Sequence, residues 1–339
     1  MSRPIRIAVL GAGSWGTTIA SIAAANATTT IFARRKDTVE EINREHRNHQ
    51  YLCDLPLNPS LRATDSLEEA VSNCDVLVMG VPSHSFRLTL QQVSHCIRPW
   101  VPVVSLAKGL EQGSRLRMTQ IINEVLPGHP AAVLTGPNLA KEILVGDAAA
   151  AVIATPDLIV ANHLQRIFHQ NLFRVYVNPD VIGCEVAGAL KNVIAIAAGM
   201  ADGLGTGDNT KAAVITRGLA ELSRLGEAMG GQFATFSGLA GMGDLVATCI
   251  SPQSRNRHVG ELLGKGNTID EIIASMNMVA EGVKTSKVVM ELSDELGIDM
   301  PIGGEVYACC HEGRTAAEAY SGLLRRGTGR EMDGISPAG

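Results

Sequence analysis

Residues 5–26 read IRIAVLGAGSWGTTIASIAAAN. A run of β-branched and aliphatic residues leads straight into Gly11-Ala12-Gly13-Ser14-Trp15-Gly16, and a stretch of small helix-forming residues follows from Thr17. Strand, glycine turn and helix in that order form the phosphate-binding unit of dinucleotide-binding domains. Gly11 permits the tight turn, Gly13 lets the backbone approach a pyrophosphate, and Gly16 lets helix and sheet pack closely. The anion then rests on the helix N-terminus, where N–H groups without partners and the helix dipole attract negative charge. The competing reading is a glycine-rich turn with no ligand. The strand before it, the helix after it and its N-terminal position favour the cofactor site.

Outward from this unit, the first half alternates short apolar runs with amphipathic stretches. Residues 29–32 (TTIF), 75–81 (DVLVMGV), 101–106 (VPVVSL) and 131–135 (AAVLT) read as buried strands, and 149–154 and 173–177 as extensions of the same sheet. Helices are expected over 17–26, 38–47 and 66–72, the last capped by Asp65 or Ser66. The pattern predicts an α/β class chain opening with a Rossmann-type, doubly wound parallel sheet covered by helices on both faces. After Asn178-Pro179 the texture changes, and no convincing strand follows Val181. Stretches rich in Ala, Leu and Gly at 183–200, 211–229 and 281–296 predict an all-helical second domain. The expected division is 1–178 for dinucleotide binding and 179–339 for the substrate and catalysis, with a frayed tail after Gly327.

Composition narrows the class. The 339 residues are 45% hydrophobic and 19% charged, with mean hydropathy +0.13, which is globular rather than disordered. Aromatic residues are 4% of the chain and the net charge is −5, so neither base-stacking platforms nor a basic face argues for nucleic acid. Seven cysteines (53, 74, 96, 184, 249, 309, 310) show no CxxC spacing, which reads as reduced thiols in a cytoplasmic protein without structural zinc. Nine histidines never cluster with acids at ligand spacing, so no metal is expected. No membrane span and no cleavable signal are expected.

Several residues carry chemistry. At the end of the second strand, where a carboxylate usually receives the ribose 2′-hydroxyl, the chain reads Phe32-Ala33-Arg34-Arg35-Lys36-Asp37. Guanidinium suits a 2′-phosphate, so Arg34 and Arg35 point to NADP, with NAD as a second cofactor; the plain reading is a solvated basic turn. Lys108 follows a strand, at the sheet edge where doubly wound folds bind ligands, although a loop lysine alone is often just solvated. Gly136-Pro137-Asn138-Leu139-Ala140 forms another compact turn at that edge. Lys191 is the single charge between Glu185 and Asp202. It either snorkels to water or sits desolvated, with its pKa drawn toward the range useful for proton exchange. The densest cluster is Gly243-Asp244, Thr248, Ser251 and Ser254-Arg255-Asn256-Arg257. It reads as an anion-binding segment, one arginine facing a ligand and the other the protein, or as a capped helix start with surface arginines.

These segments together resemble the bacterial NAD(P)-dependent sn-glycerol-3-phosphate dehydrogenases over essentially the whole chain. The resemblance rests on GAGSWGT, VPSH (81–84), AKGLE (107–111), GP.LAKE (136–142), LKNVIAI.AGM.DG (190–203), ITRGLAE (215–221), GDL..TC....SRNR (243–257) and EG..T (281–285). It implies reversible reduction of dihydroxyacetone phosphate to sn-glycerol 3-phosphate for glycerophospholipid synthesis, by a homodimer. It implies Lys191 as proton donor and acceptor, supported by Asp244 and Lys108. It also implies substrate contacts at Lys108, Gly136, Asn138, Asp244, Thr248, Ser254, Arg255 and Asn256. Cofactor contacts are implied at Ser14, Trp15, Arg34, Lys108, Ala140, Arg255, Val279 and Glu281. Asn138 departs from the family's usual Ser or Thr. Two alternatives remain: a 3-hydroxyacid dehydrogenase of the same layout, which carries an asparagine where this chain has Ala195, and a non-catalytic NADP sensor, which has no need of a desolvated lysine beside an acid.

Overall fold

A computed structural model describes residues 3–276 and 280–325; the expected frayed tail lies outside them. The chain forms two compact units, one comprising Met1–Ala107 and Arg117–Val181, the other Lys108–Leu116 and Ile182–Gly339. The division expected at 178 therefore differs in two ways. It falls three residues early, and it misses an excursion of residues 108–116 into the second unit. The excursion has a physical cause: Leu110 is buried in the helical core, and Lys108 is tied to groups there.

The first unit is built on eight strands: β1 Arg6–Leu10, β2 Thr28–Phe32, β3 Arg62–Thr64, β4 Val76–Met79, β5 Val103–Ser105, β6 Ala131–Thr135, β7 Ala149–Ala154 and β8 Phe173–Asn178. Its helices are α1 Ser14–Ala23, α2 Lys36–Glu45, α3 His49–Leu52, α4 Leu67–Val71, α5 Ser83–Val93, α6 Met118–Val125, α7 Ala140–Val145 and α8 Leu158–Phe168. The sheet order is β3-β2-β1-β4-β5-β6-β7-β8. Progression along the sheet reverses between β1 and β4, which puts the switch point beside the glycine turn. Ile7, Val9, Val76, Val78, Val104 and Leu134 of the strands pack with Ile19, Leu164 and Phe168 of the helices. Each such side chain contributes about 1.5–3 kcal/mol on burial.

Two features of this sheet differ from the sequence reading. The three-residue β3 is too short to show a periodicity. The pair β6–β7 is antiparallel, whereas the other pairs are parallel. Residues 136–148, which include α7, join the two strands, and β7 sets off from the edge where β6 ended. Ser66 caps α4, its hydroxyl accepting from the Glu69 N–H.

Apart from residues 108–116 and the connecting turns, the second unit is built of helices: α9 Val181–Gly203, α10 Asp208–Ala228, α11 Phe233–Phe236, a π-helical turn Leu239–Gly243, α12 Asp244–Ile250, α13 Arg255–Gly264, α14 Ile269–Ser275, α15 Glu281–Leu296, α16 Pro301–His311 and α17 Ala316–Arg325. The stretches Val181–Gly203 and Phe233–Ile250 are long and apolar enough to cross a membrane by length and composition, but 89% of the first window is buried inside the protein, and 44% of the second. α9 is the central core helix, and Leu190, Val193, Ile194 and Ile196 on it meet Leu222, Phe236, Leu245, Val259 and Val289. It crosses α13 at backbone-contact distance. A Cβ on Gly260 would lie 1.9 Å from the Ile196 carbonyl oxygen, and one on Gly199 2.0 Å from that of Arg257.

α16 has no side-chain cap of its own. The buried Glu221 of α10 serves instead, accepting from the N–H groups of Ile302 (2.7 Å) and Gly303 (3.1 Å). Burial nonetheless pushes its carboxyl up to about 7. All seven cysteines are free thiols, and burial pushes Cys74, Cys249, Cys309 and Cys310 up to about 12.

Candidate active site

In the first unit, β1 ends at Leu10 and the chain turns through Gly11, whose φ of +115° excludes an ordinary side chain. A Cβ there would also lie 2.6 Å from the Gly80 carbonyl oxygen, so the turn sits directly against the end of β4. Gly16 is equally confined, 2.1 Å from the Gly11 oxygen. Gly13 differs: a Cβ would meet nothing within 4 Å. It is the N-cap of α1 and no side chain caps that helix. Trp15 Nε1 is buried without a hydrogen-bond partner. Open space over Gly13, an uncapped helix start and an orphaned donor fit a dinucleotide pyrophosphate.

Arg34 and Arg35 are exposed at the end of β2, and neither has an ion pair among the described residues. Gly136 (φ +118°) and the half-buried Asn138 lie in the turn from β6 to α7, and the half-buried Ala140 opens α7. Val279 lies outside the described residues.

The second unit collects the acid and both lysines. Asp244 opens α12 and is 2% exposed. Its Oδ1 accepts from Lys191 Nζ at 2.8 Å and its Oδ2 from Lys108 Nζ at 2.7 Å. Lys191 also donates to Thr248 Oγ1 at 2.5 Å, and that hydroxyl donates to the Asp244 carbonyl at 2.6 Å. Lys191, 5% exposed, is desolvated rather than snorkelling. Two ammonium groups share one carboxylate, so the ionised trio carries one net positive charge in a buried setting. Burial pulls the Lys108 ammonium down to about 8, Asp244 opposes the shift, and repulsion from Lys191 adds to it.

A chain of carboxamides braces this trio. Asn192 Nδ2 donates to the Lys108 carbonyl (3.0 Å), Asn256 Nδ2 to Asn192 Oδ1 (2.9 Å), and the Gly282 N–H to Asn256 Oδ1 (2.9 Å). Asn256, expected to contact substrate, thus has both ends of its amide engaged within the protein. Asn192 was not anticipated; an amide next to a lysine on an otherwise apolar helix was the available signal. Ser254 caps α13 by accepting from the Arg257 N–H. Arg255 is exposed at the first position of α13, whereas Arg257 turns inward to Asp202 (2.6 Å) and Glu261 (3.6 Å). The two arginines do face opposite ways. Glu281 begins α15 and acts electrostatically on Lys108. Among the described residues no group of three His, Cys, Asp or Glu side chains is placed to hold a metal ion.

Comparison with known proteins agrees along the chain. Residues 6–161 match the family model for the NAD-dependent glycerol-3-phosphate dehydrogenase N-terminus, and residues 180–321 match that for the C-terminus. A glycerol-3-phosphate dehydrogenase (NAD(P)+) 2 of Sphingopyxis alaskensis is 58% identical over 96% of this chain and 98% of its own. A glycerol-3-phosphate dehydrogenase (NAD(P)+) of Mycobacterium avium is 55% identical over 98% of each. The crystal structure of the Coxiella burnetii glycerol-3-phosphate dehydrogenase superposes with a TM-score of 0.91 at 36% identity, covering 95% of this chain and 99% of that one. With its sheet, glycine turn and helical second unit, the chain belongs to the NAD-dependent glycerol-3-phosphate dehydrogenase family.

Proposed function

We propose that Lys191, held by Asp244 and Thr248, is the proton donor and acceptor of this oxidoreductase. The reaction is the NAD(P)H-dependent reduction of dihydroxyacetone phosphate to sn-glycerol 3-phosphate, and its reverse. One observation carries the reading. An ammonium has three N–H donors; two of those on Lys191 are taken by Asp244 Oδ1 and Thr248 Oγ1. The third meets no acceptor among the described residues, and a reacting carbonyl oxygen is its natural partner. Bound NAD(P)H supplies the hydride. As negative charge develops on the oxygen, Lys191 Nζ gives it a proton and is left as a neutral amine; in the oxidation direction the amine takes the proton back. Asp244 holds the donor in place, and the excess positive charge of the trio favours the developing alkoxide.

The glycine turn 11–16, with Ser14 and Trp15, would hold the cofactor pyrophosphate, and Arg34 and Arg35 the 2′-phosphate of NADP. Arg255, exposed at the start of α13, supports recognition of the substrate phosphate together with Lys108. Gly136, Asn138, Ala140, Ser254, Asn256 and Glu281 belong to the same proposal as flanking contacts. Asn256 and Ser254 act through the network and cap that engage them. A homodimer in the cytoplasm, supplying glycerophospholipid synthesis, completes the reading; seven free thiols suit a reducing compartment.

The test is NADPH consumption with dihydroxyacetone phosphate against dihydroxyacetone. Remote phosphate binding positions the reacting carbonyl, so turnover is expected with the phosphate and almost none without it. Comparable kcat/KM for the two ketones would overturn phosphate anchoring.

A further inference from the structure

We infer that Asn48 is a positioning residue of the cofactor site, setting the orientation of the Ala12–Gly13 peptide from behind. The inference rests on the reading of residues 11–16 as the pyrophosphate turn. Asn48 lies outside every stretch quoted above for the resemblance, on the short loop between α2 and α3. It is 0% exposed. Its Nδ2 donates to the Ala12 carbonyl and to Thr17 Oγ1, both at 2.9 Å, so the amide straddles the glycine turn and the first turn of α1. Two acceptors on one side fix which end of the carboxamide faces them. The other end, Oδ1, is buried without a partner. An unmatched buried acceptor costs about 1–3 kcal/mol, so a carboxamide here needs a compensating role, and the two donors supply it.

That role follows from peptide planarity. In a trans peptide the C=O and the next N–H point in opposite directions. Drawing the Ala12 carbonyl onto Asn48 directs the Gly13 N–H away from the loop, and keeps a carbonyl lone pair off the side that must receive an anion. The loop is itself braced. The Leu57 N–H bonds the His46 carbonyl at 2.7 Å, closing residues 46–57 at their neck. Ser14 Oγ donates to the Tyr51 carbonyl at 3.3 Å, and the Asn58 N–H donates to Ser21 Oγ at 2.8 Å. Asn48 is thus held in place from both sides, as a positioning group must be.

The experiment measures NADPH dissociation constants by titration calorimetry for the wild type, Asn48→Asp, Asn48→Ala and Thr17→Ala, with melting temperatures of the unliganded proteins. Asn48→Asp keeps the shape but sets an acceptor against the Ala12 carbonyl; Thr17→Ala removes the other partner and leaves that carbonyl held. NADPH binding is expected to weaken by about tenfold or more in both Asn48 variants, the scale of one lost hydrogen bond plus a misdirected peptide. KM for NADPH should rise with it while kcat changes far less. Thr17→Ala should lower the melting temperature yet bind NADPH as the wild type does. Wild-type-like binding by both Asn48 variants, or equal weakening by Thr17→Ala, overturns the inference. Should the Asn48 variants not fold, hydrogen exchange on the wild type decides. NADPH is expected to slow exchange in residues 46–53 together with 11–16, and protection confined to 11–16 overturns the inference. A wild type that does not bind NADPH at all would instead defeat the pyrophosphate reading itself.

Discussion

At the scale of single residues, the site depends on one carboxylate serving two ammonium groups. Lys191→Met keeps a buried aliphatic stem on α9 and removes only the ammonium. Cofactor affinity should persist while kcat falls by about a hundredfold or more, the usual scale of general acid–base catalysis. Turnover within a few-fold of the wild type would make Lys191 a core residue only. Arg34 and Arg35 are a separate matter, because they stand exposed and free of ion pairs among the described residues. A charge-assisted hydrogen bond is worth about 1.5–3 kcal/mol, so Arg34→Ala should cost NADPH roughly ten- to a hundredfold in kcat/KM and NADH little. Arg35→Ala should cost less, since the resemblance puts the cofactor contact at Arg34. Ratios of NADPH to NADH kcat/KM, taken at one ionic strength because exposed charges are screened, check both. An unchanged ratio in both variants leaves a solvated turn.

At the scale of elements, the glycine content finds its use where helices touch backbone to backbone. α9 and α13 meet through Gly199 and Gly203 on one side and Gly260 and Gly264 on the other, with added Cβ atoms falling 1.9–2.5 Å from carbonyl oxygens. Gly260→Ala must push apart the helix bearing Lys191 and the helix bearing Arg255. Overpacking of this kind costs about 1–3 kcal/mol or more, and the expected outcome is a lower melting temperature with kcat falling alongside it. An alanine variant as stable as the wild type would show that the crossing is loose. Residues 190–203 announced a buried helix by composition, but not its partner, because close approach is a property of two helices and sequence periodicity describes one. The antiparallel β7 escaped for a related reason. Strand direction depends on which end of β6 the chain comes back to, and the pattern within either strand does not record it. Lys191 and Asp244 were legible because a lysine on an apolar helix and an acid after glycines are anomalies in themselves. Asn192 and Asn48, ordinary polar residues, became visible only through what they touch.

At the scale of the whole molecule, global stability should depend on pH through Glu221. Its carboxyl is ordinarily near 4.5 and stands at about 7 when folded, because burial disfavours the charged form more than two backbone N–H groups favour it. The folded state therefore holds that proton more tightly than the unfolded chain. Stability is fullest below pH 4.5 with respect to this group and is lost as pH rises through 7. Melting temperatures between pH 5 and pH 8 should fall by about 5 °C more for the wild type than for Glu221→Gln. Parallel curves would mean that the carboxylate is comfortable where it is. The layout of a sheet followed by helices was readable from the change of texture near Asn178. The return of residues 108–116 to the helical unit was not, since no local pattern marks a segment whose partners are distant.

That return has a consequence in time. Lys108 precedes its partner Asp244 by 136 residues. At roughly 5–20 residues per second of synthesis, the segment carrying Lys108 waits on the order of ten seconds or more before Asp244 leaves the ribosome. Within that interval the sheet unit, which ends at Val181, is fully synthesised while the loop destined for the helical core still lacks its partner acid. The nascent enzyme must therefore protect an unfinished limb while its fold is still being written, and slower translation lengthens the exposure.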